Sequence, residues 1–166
     1  ILNNYDVPIY VISGNHDVYG HNPNTIGRTI LGLLDALDVI KIIKENEVIY
    51  LNKEGIKVQL TGQPYTYNID HEGSKNGYIV DNVKQGMDYS IHMVHGMLLK
   101  KPFIKGVPHT LIDDVLHTKA DITLAGHYHS GFGVIKIENK YFVNPGSLVR
   151  ITNSLNEIER YPKVAI

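Results

Sequence analysis

Short β-branched and apolar runs, each closed by Gly, Asn or Asp, recur along this chain. The run "PIYVI" (8–12) is followed at once by Ser13, Gly14 and Asn15, the pattern of a fully buried strand leaving the core in a loop. Further on, Ile26, Ile30, Leu33, Leu34 and Leu37 repeat at three- and four-residue intervals, which predicts an amphipathic helix capped by Asn24 or Thr25; Gly27 and Gly32 interrupt its regularity. "EVIYLNKEGIKVQLTG" predicts a hairpin turning around Lys53 to Gly55. Residues 63–87, rich in Gly, Asn, Asp and Tyr, carry no period and predict a long loop or irregular insert. From Asp88 the pattern is regular again: "YSIHMVHG" predicts a strand, "HTLIDDVLHT" a short helix, "DITLAGHYH" a strand, and "GFGVIKIENKYFVNPGSL" a second hairpin. Strands alternating with helices argue for an α/β fold, and the hairpins add antiparallel edges, so a mixed sheet or a pair of packed sheets is expected.

Composition narrows the chemistry. A length of 166 residues suffices for one core, and no repeat or linker divides it. No apolar stretch approaches the roughly 20 residues of a membrane span, so no membrane partner is expected. A formal net charge of -1 lacks the strongly basic signature of nucleic-acid binding, while leaving room for a local basic patch. The absence of cysteine excludes disulfides, thiolate metal sites and a cysteine nucleophile, so any metal must be held by nitrogen and oxygen. The sequence opens at Ile1 without a leader pattern and reads as a chain entered partway; a cytoplasmic location is the expectation.

Three clusters follow apolar runs: Asn15-His16-Asp17, His95-Gly96, and Gly126-His127-Tyr128-His129. In a parallel or mixed sheet equivalent strand ends lie side by side, so residues far apart in sequence can share one cleft. Imidazole, amide oxygen and carboxylate suit Mn, Fe, Zn or Ni. His127 and His129, two apart, project to one side of an extended backbone, and Gly126 before them allows an unusual backbone angle and close approach. His92 and His95, three apart, face opposite ways on a strand, and His95 is the one at its exit. Each cluster alone has an ordinary account: an HxH pair arises on many surfaces, and "GNHD" resembles a turn with a capping Asp. Their joint occurrence at three strand exits is harder to assign to turn chemistry.

Those residues resemble the calcineurin-like metallophosphoesterase family, whose blocks run DxH, GD, GNH followed by Asp or Glu, a later His, and GHxH. Here "GNHD", "VHG" and "GHYH" match the last three, and "NPGSLVR" matches the segment that commonly follows, so the likeness spans residues 14 to about 150. No DxH or GD block precedes Gly14. The resemblance implies that residues 1–166 are the C-terminal part of a single catalytic domain, an N-terminally incomplete sandwich of two packed mixed β-sheets flanked by helices. It implies two divalent metal ions, Mn first, with Asn15, His95 and His127 as ligands of the second metal and His129 as a ligand of the first. His16 would bond a phosphate oxygen or protonate the leaving alkoxide, with Asp17 orienting its ring. The implied reaction is phosphoester hydrolysis at a dinuclear site.

"VHGMLL", "TLAGHYHSGF" and "NPGSLVR" look most like the SbcD-like nuclease branch, so a phosphodiesterase acting on nucleic acid is the leading expectation. A phosphomonoesterase or small-molecule phosphodiesterase is the alternative, favoured by the neutral charge. A second alternative is an inactive phosphoesterase-like binding module, which the missing blocks would fit. His21, His71 and His117 read as surface or helix residues. His109 and Lys100, Lys101 and Lys105 lie in a loop that either meets substrate or is merely solvated. Arg150 either anchors the final segment or contacts substrate. Without upstream strands, this fragment is expected to fold poorly alone and to self-associate, with at most one tightly held metal and negligible turnover.

Overall fold

The structure, a computed structural model, describes residues 7–71, 75–150, 153 and 155–166. Its strands are β1 (Tyr10–Val11), β2 (Lys41–Ile42), β3 (Val48–Lys53), β4 (Ile56–Gln63), β5 (Tyr89–Val94), β6 (Leu98–Leu99), β7 (Thr110–Leu111), β8 (Ile122–Ala125), β9 (Gly133–Ile137) and β10 (Lys140–Asn144). Two short α-helices, α1 (Ile30–Ala36) and α2 (Leu155–Glu159), accompany them. The fold is α/β with mixed sheets and few helices. Six strands form the main sheet in the order β3-β4-β5-β8-β10-β9, while β1 pairs with β2 and β6 with β7 as two small parallel ladders.

Both predicted hairpins form. In the first, β3 and β4 pair antiparallel, and Glu54 (φ 54°) and Gly55 (φ 88°) supply the positive φ angles of a two-residue turn. The second joins β9 to β10 in the same way, with Glu138 at φ 54°. Between the hairpins, β5 runs parallel to β4 and β8, and β10 runs parallel to β8. The register sets Val94 opposite Ala125, so the chain leaves β5 and β8 at the same level.

Elsewhere the structure departs from the periodicity. The run at 8–12 contributes only the two residues of β1, half-buried and paired with β2 instead of sitting inside the main sheet. The predicted long helix is broken at Thr29, whose extended backbone (φ -107°, ψ 169°) separates a 3₁₀ helix, Pro23–Arg28, from α1. The Thr29 side chain accepts from the Gly32 amide at 3.2 Å, so the residue that ends one segment caps the next. The apolar stripe of α1 is uncovered among the described residues: Ile30 is 75% exposed and Leu37 62%. The helix expected in "HTLIDDVLHT" is a single 3₁₀ turn, Ile112–Val115.

Alternation on the central strands sorts polar from apolar burial. Val94, Ala125 and Phe142 pack with Ile69, Tyr78, Leu98, Ile112 and Val115 into one core. On β4, β5 and β8 Gln59, Ser90, His92 and Thr123 are buried too, and Thr61 is half-buried. Gln59 donates to the Asn82 carbonyl at 2.7 Å and accepts from the Lys84 amide at 2.9 Å. At 2.8 Å the Nε2 of His92 faces the Gly77 carbonyl and must donate to it, so Nδ1 accepts from the Thr61 hydroxyl at 2.9 Å. On the other face of β4, a Cβ at Gly62 would fall 2.8 Å from Ile12 and 2.9 Å from Ile43, so the β1–β2 ladder seats on the sheet only because position 62 has no side chain.

The aperiodic segment 63–87, of which residues 72–74 lie outside the described ones, is packed rather than loose. Ile69, Tyr78 and Val80 are buried. Asp70 ties the segment down: one carboxylate oxygen accepts from the Tyr78 hydroxyl at 2.5 Å and the Thr110 hydroxyl at 2.9 Å, the other from the Met97 amide at 2.7 Å. Replacing Asp70 with Ala strands those three donors in a partly dry environment, an expected loss of about 2–4 kcal/mol, read as a lower urea midpoint at unchanged slope.

Candidate functional site

Asn15 follows β1, His95 follows β5 and His127 follows β8, so three strand exits deliver one side chain each to a common point. Asn15 Oδ1 lies 3.0 Å from His95 Nε2 and 3.1 Å from His127 Nδ1, and the two nitrogens are 3.3 Å apart. With the amide oxygen turned inward, no assignment of ring protons satisfies all three contacts. If both nitrogens carry hydrogen and donate to the amide oxygen, their hydrogens confront each other; if one is bare, its lone pair confronts the oxygen. Two ligands held about 2.1 Å from one ion at tetrahedral or octahedral angles sit roughly 3.0–3.4 Å from each other. The triangle therefore has the size and electron-pair content of three ligands on one cation. Among the described residues no group of three or more His, Cys, Asp or Glu is placed to hold a metal; two corners here are imidazoles and the third is an amide oxygen.

Glycines make room for it. A Cβ on Gly14 would lie 2.6 Å from His95 Cε1, and one on Gly126 would lie 2.9 Å from His95 Nδ1, so the imidazole is clasped between two backbone segments. The close approach expected at Gly126 is seen, and the unusual backbone angle expected there is corrected: the residue in the left-handed region is His127 itself, at φ 72°. That backbone also corrects the premise of an extended His127–His129 pair. His127 turns into the triangle and forms an isolated antiparallel bridge with Met97, whereas the His129 ring lies 6.1 Å from that of His16.

His16 is exposed at the rim. Asp17, expected to orient its ring, instead accepts from the Gly14 amide at 2.7 Å, closing the "GNHD" turn; among the described residues no hydrogen bond joins it to His16. The end of β10 and the segment after it cradle the His127–His129 turn: Asn144 donates to the Tyr128 carbonyl at 3.1 Å, and Ser147 N donates to the His129 carbonyl at 2.9 Å. Arg160 holds that segment through the Ser147 and Val149 carbonyls, while Arg150 is exposed. His109 braces its own loop, Nδ1 donating to the Val107 carbonyl at 2.8 Å and Nε2 accepting from Phe103 N at 3.4 Å.

Burial, reinforced by the imidazoles of His127, His129 and His16, lowers the His95 pKa to about 4. His127 is lowered too, chiefly by burial, with Asp70 opposing the shift and His129, His16 and His21 adding to it. Both rings are thus kept neutral with lone pairs available at neutral pH, as metal ligation requires.

Residues that the sequence did not single out also meet here. Tyr65 stacks on His127, with ring centroids 6.5 Å apart, and lies edge-on to His95 at 6.3 Å. Tyr65 and Asp70 lie in the aperiodic stretch, where no pattern marked them. The chain matches no family model and no curated protein.

Two outcomes follow. Gly126→Ala drives a methyl into the His95 ring, and about 1–3 kcal/mol of stability is lost together with the His95 imidazole–Asn15 contact, visible in imidazole nitrogen NMR. In the metal-free chain, unfolded His95 binds its proton near 6.5 and folded His95 near 4, so its contribution is fully present above pH 6.5 and is lost as pH falls toward 4. Urea unfolding at pH 7 and pH 4 should register a fall of order 3 kcal/mol from this group, and His95→Asn should flatten that pH dependence.

Proposed function

We propose that this chain carries a metal-dependent phosphoester hydrolase site of the calcineurin-like type, in which Asn15, His95 and His127 hold one divalent cation, Mn first and Fe, Zn or Ni as alternatives. What carries the reading is the unsatisfiable triangle of Oδ1, Nε2 and Nδ1 at 3.0, 3.1 and 3.3 Å, a set of contacts that a cation satisfies and protons do not. A cation bound there supplies Lewis acidity toward a phosphoryl oxygen and lowers the pKa of water it coordinates.

The rest of the chemistry falls to this chain's own residues. His16, solvent-facing at the rim, is free to bond a phosphate oxygen or to give its proton to a departing alkoxide. Asp17 acts on the backbone, holding the turn that presents Asn15 and His16. His129, across from His16, belongs in this reading to a second cation, whose remaining ligands the DxH and GD blocks would provide. The β1–β2 ladder on β4 is then the edge of the second layer of a two-sheet sandwich, and the uncovered α1 stripe is where the chain would self-associate.

Nucleic acid is the first substrate in this reading. Phe103 lies 6.4 Å from Tyr128, edge to face, so the exposed loop carrying Lys100, Lys101 and Lys105 abuts the His127–His129 turn and sets aromatic and basic groups beside the site. No helix among the described residues is long and apolar enough to cross a membrane.

Elemental analysis after equilibrium dialysis against Mn tests the site. About one retained ion per chain is expected, with affinity falling at least roughly 100-fold in Asn15→Ala, His95→Ala and His127→Ala and much less in His129→Ala. Failure to retain Mn, or equal retention in the triangle variants, overturns the proposal. With Mn present, single-stranded DNA should compete for the chain better than a phosphomonoester; the reverse order favours the monoesterase.

A further inference from the structure

Beside the triangle opens a cavity of about 380 Å³ that shares Asn15 and His127 with it. That volume falls in the range of small-ligand pockets, roughly 300–1,000 Å³. Any group bound in the cavity sits next to the donor atoms, so the cavity and the triangle can hold two parts of one molecule. Five aromatic rings stand among its walls. Tyr65 lies nearly parallel to His127, at 24°, and His21 lies 6.2 Å from Tyr65. Tyr67 and His71 form a second parallel pair, 6.1 Å apart at 20°. Val107 and Pro108 close the apolar side.

The charge of the lining excludes one kind of occupant. Among the described residues no Lys or Arg lines the cavity, and both oxygens of the one lining carboxylate among them, Asp70, are already engaged by Tyr78, Thr110 and Met97. A second phosphate finds no counter-charge there. A flat ring with polar edges does find partners: ring faces to stack on, and phenol and imidazole tips at the margin. The pocket is also held in shape, since the Tyr65 amide donates to the Ser13 carbonyl at 2.9 Å and Asp70 anchors the following turn. That part of the wall needs little further ordering on binding.

We propose that this cavity is a subsite for a planar aromatic substituent of the phosphoester, a nucleobase or an aryl group, with Tyr65 as its principal stacking face. The inference rests on the phosphoesterase reading and names its substrate class. Sequence alone placed His21 and His71 among surface residues; both are exposed, and they also line this cavity.

Calorimetric titration of the Mn-loaded chain with adenosine monophosphate, ribose phosphate and adenosine separates the possibilities. Adenosine monophosphate should bind about tenfold or more tightly than ribose phosphate, the range base stacking on an aromatic side chain confers. Tyr65→Ala should erase that difference and Tyr65→Phe should keep it, each variant being checked for native circular dichroism. Equal affinity for the two phosphates, or a preference that survives Tyr65→Ala, overturns the subsite while leaving the metal site standing. If Mn is not retained, the phosphoesterase reading falls, and the adenosine titration still decides: Tyr65-dependent binding upholds the ring subsite, and no binding removes it.

Discussion

An amide oxygen and two ring nitrogens lie within 3.3 Å of one another, a triangle whose three contacts ring protons cannot all satisfy, and the rest of the fold serves to hold it. Asn15, His95 and His127 come from three strand exits separated by at least 32 residues. Nothing local brings them together. The parallel register that aligns Val94 with Ala125 levels two of the exits, and the β1–β2 ladder, seated on β4 at Gly62, brings the third over them. A one-residue slip in either pairing would turn the sheet's side chains to the opposite face and scatter the triangle.

Small backbone concessions complete it. His127 adopts a left-handed conformation, costing roughly 1–2 kcal/mol for a residue with a Cβ, and that twist aims its ring inward while leaving His129 to face His16. Gly14 and Gly126 concede their side chains to the His95 ring. Left-handed backbone also occurs at Glu54 and Glu138 in the hairpin turns, so what sets His127 apart is where its ring is aimed, into contact with Asn15 and His95.

The buried polar layer plays the opposite part. His92, Thr61, Gln59 and Asp70 have their hydrogen bonds met within the fold, and they clamp the aperiodic 63–87 segment onto the sheet. Two histidines three residues apart on one strand thus diverge. His92 has both ring nitrogens hydrogen-bonded, while His95 is neutral and crowded, its Nε2 sharing with Asn15 and His127 a triangle whose three contacts ring protons cannot all satisfy. The difference lies in their partners, not in their burial alone.

Much of the frame was legible in the residues. Period-two runs and a Glu-Gly turn specify hairpins through local backbone preference, and "GNHD", "VHG" and "GHYH" mark strand exits because apolar runs stop there. The α1 region was misjudged in continuity, since Thr29 competes for backbone hydrogen bonds that periodicity does not register. Asp70 and Tyr65 were invisible because their roles depend on partners outside their own segment, such as Thr110 and His127. Sequence by itself thus determined the strand frame and the donor types, which follow from short-range sterics and side-chain chemistry. Only the tertiary structure decided which donors meet, at what separation and beside which cavity, because those distances are set by long-range register and packing that no local pattern encodes.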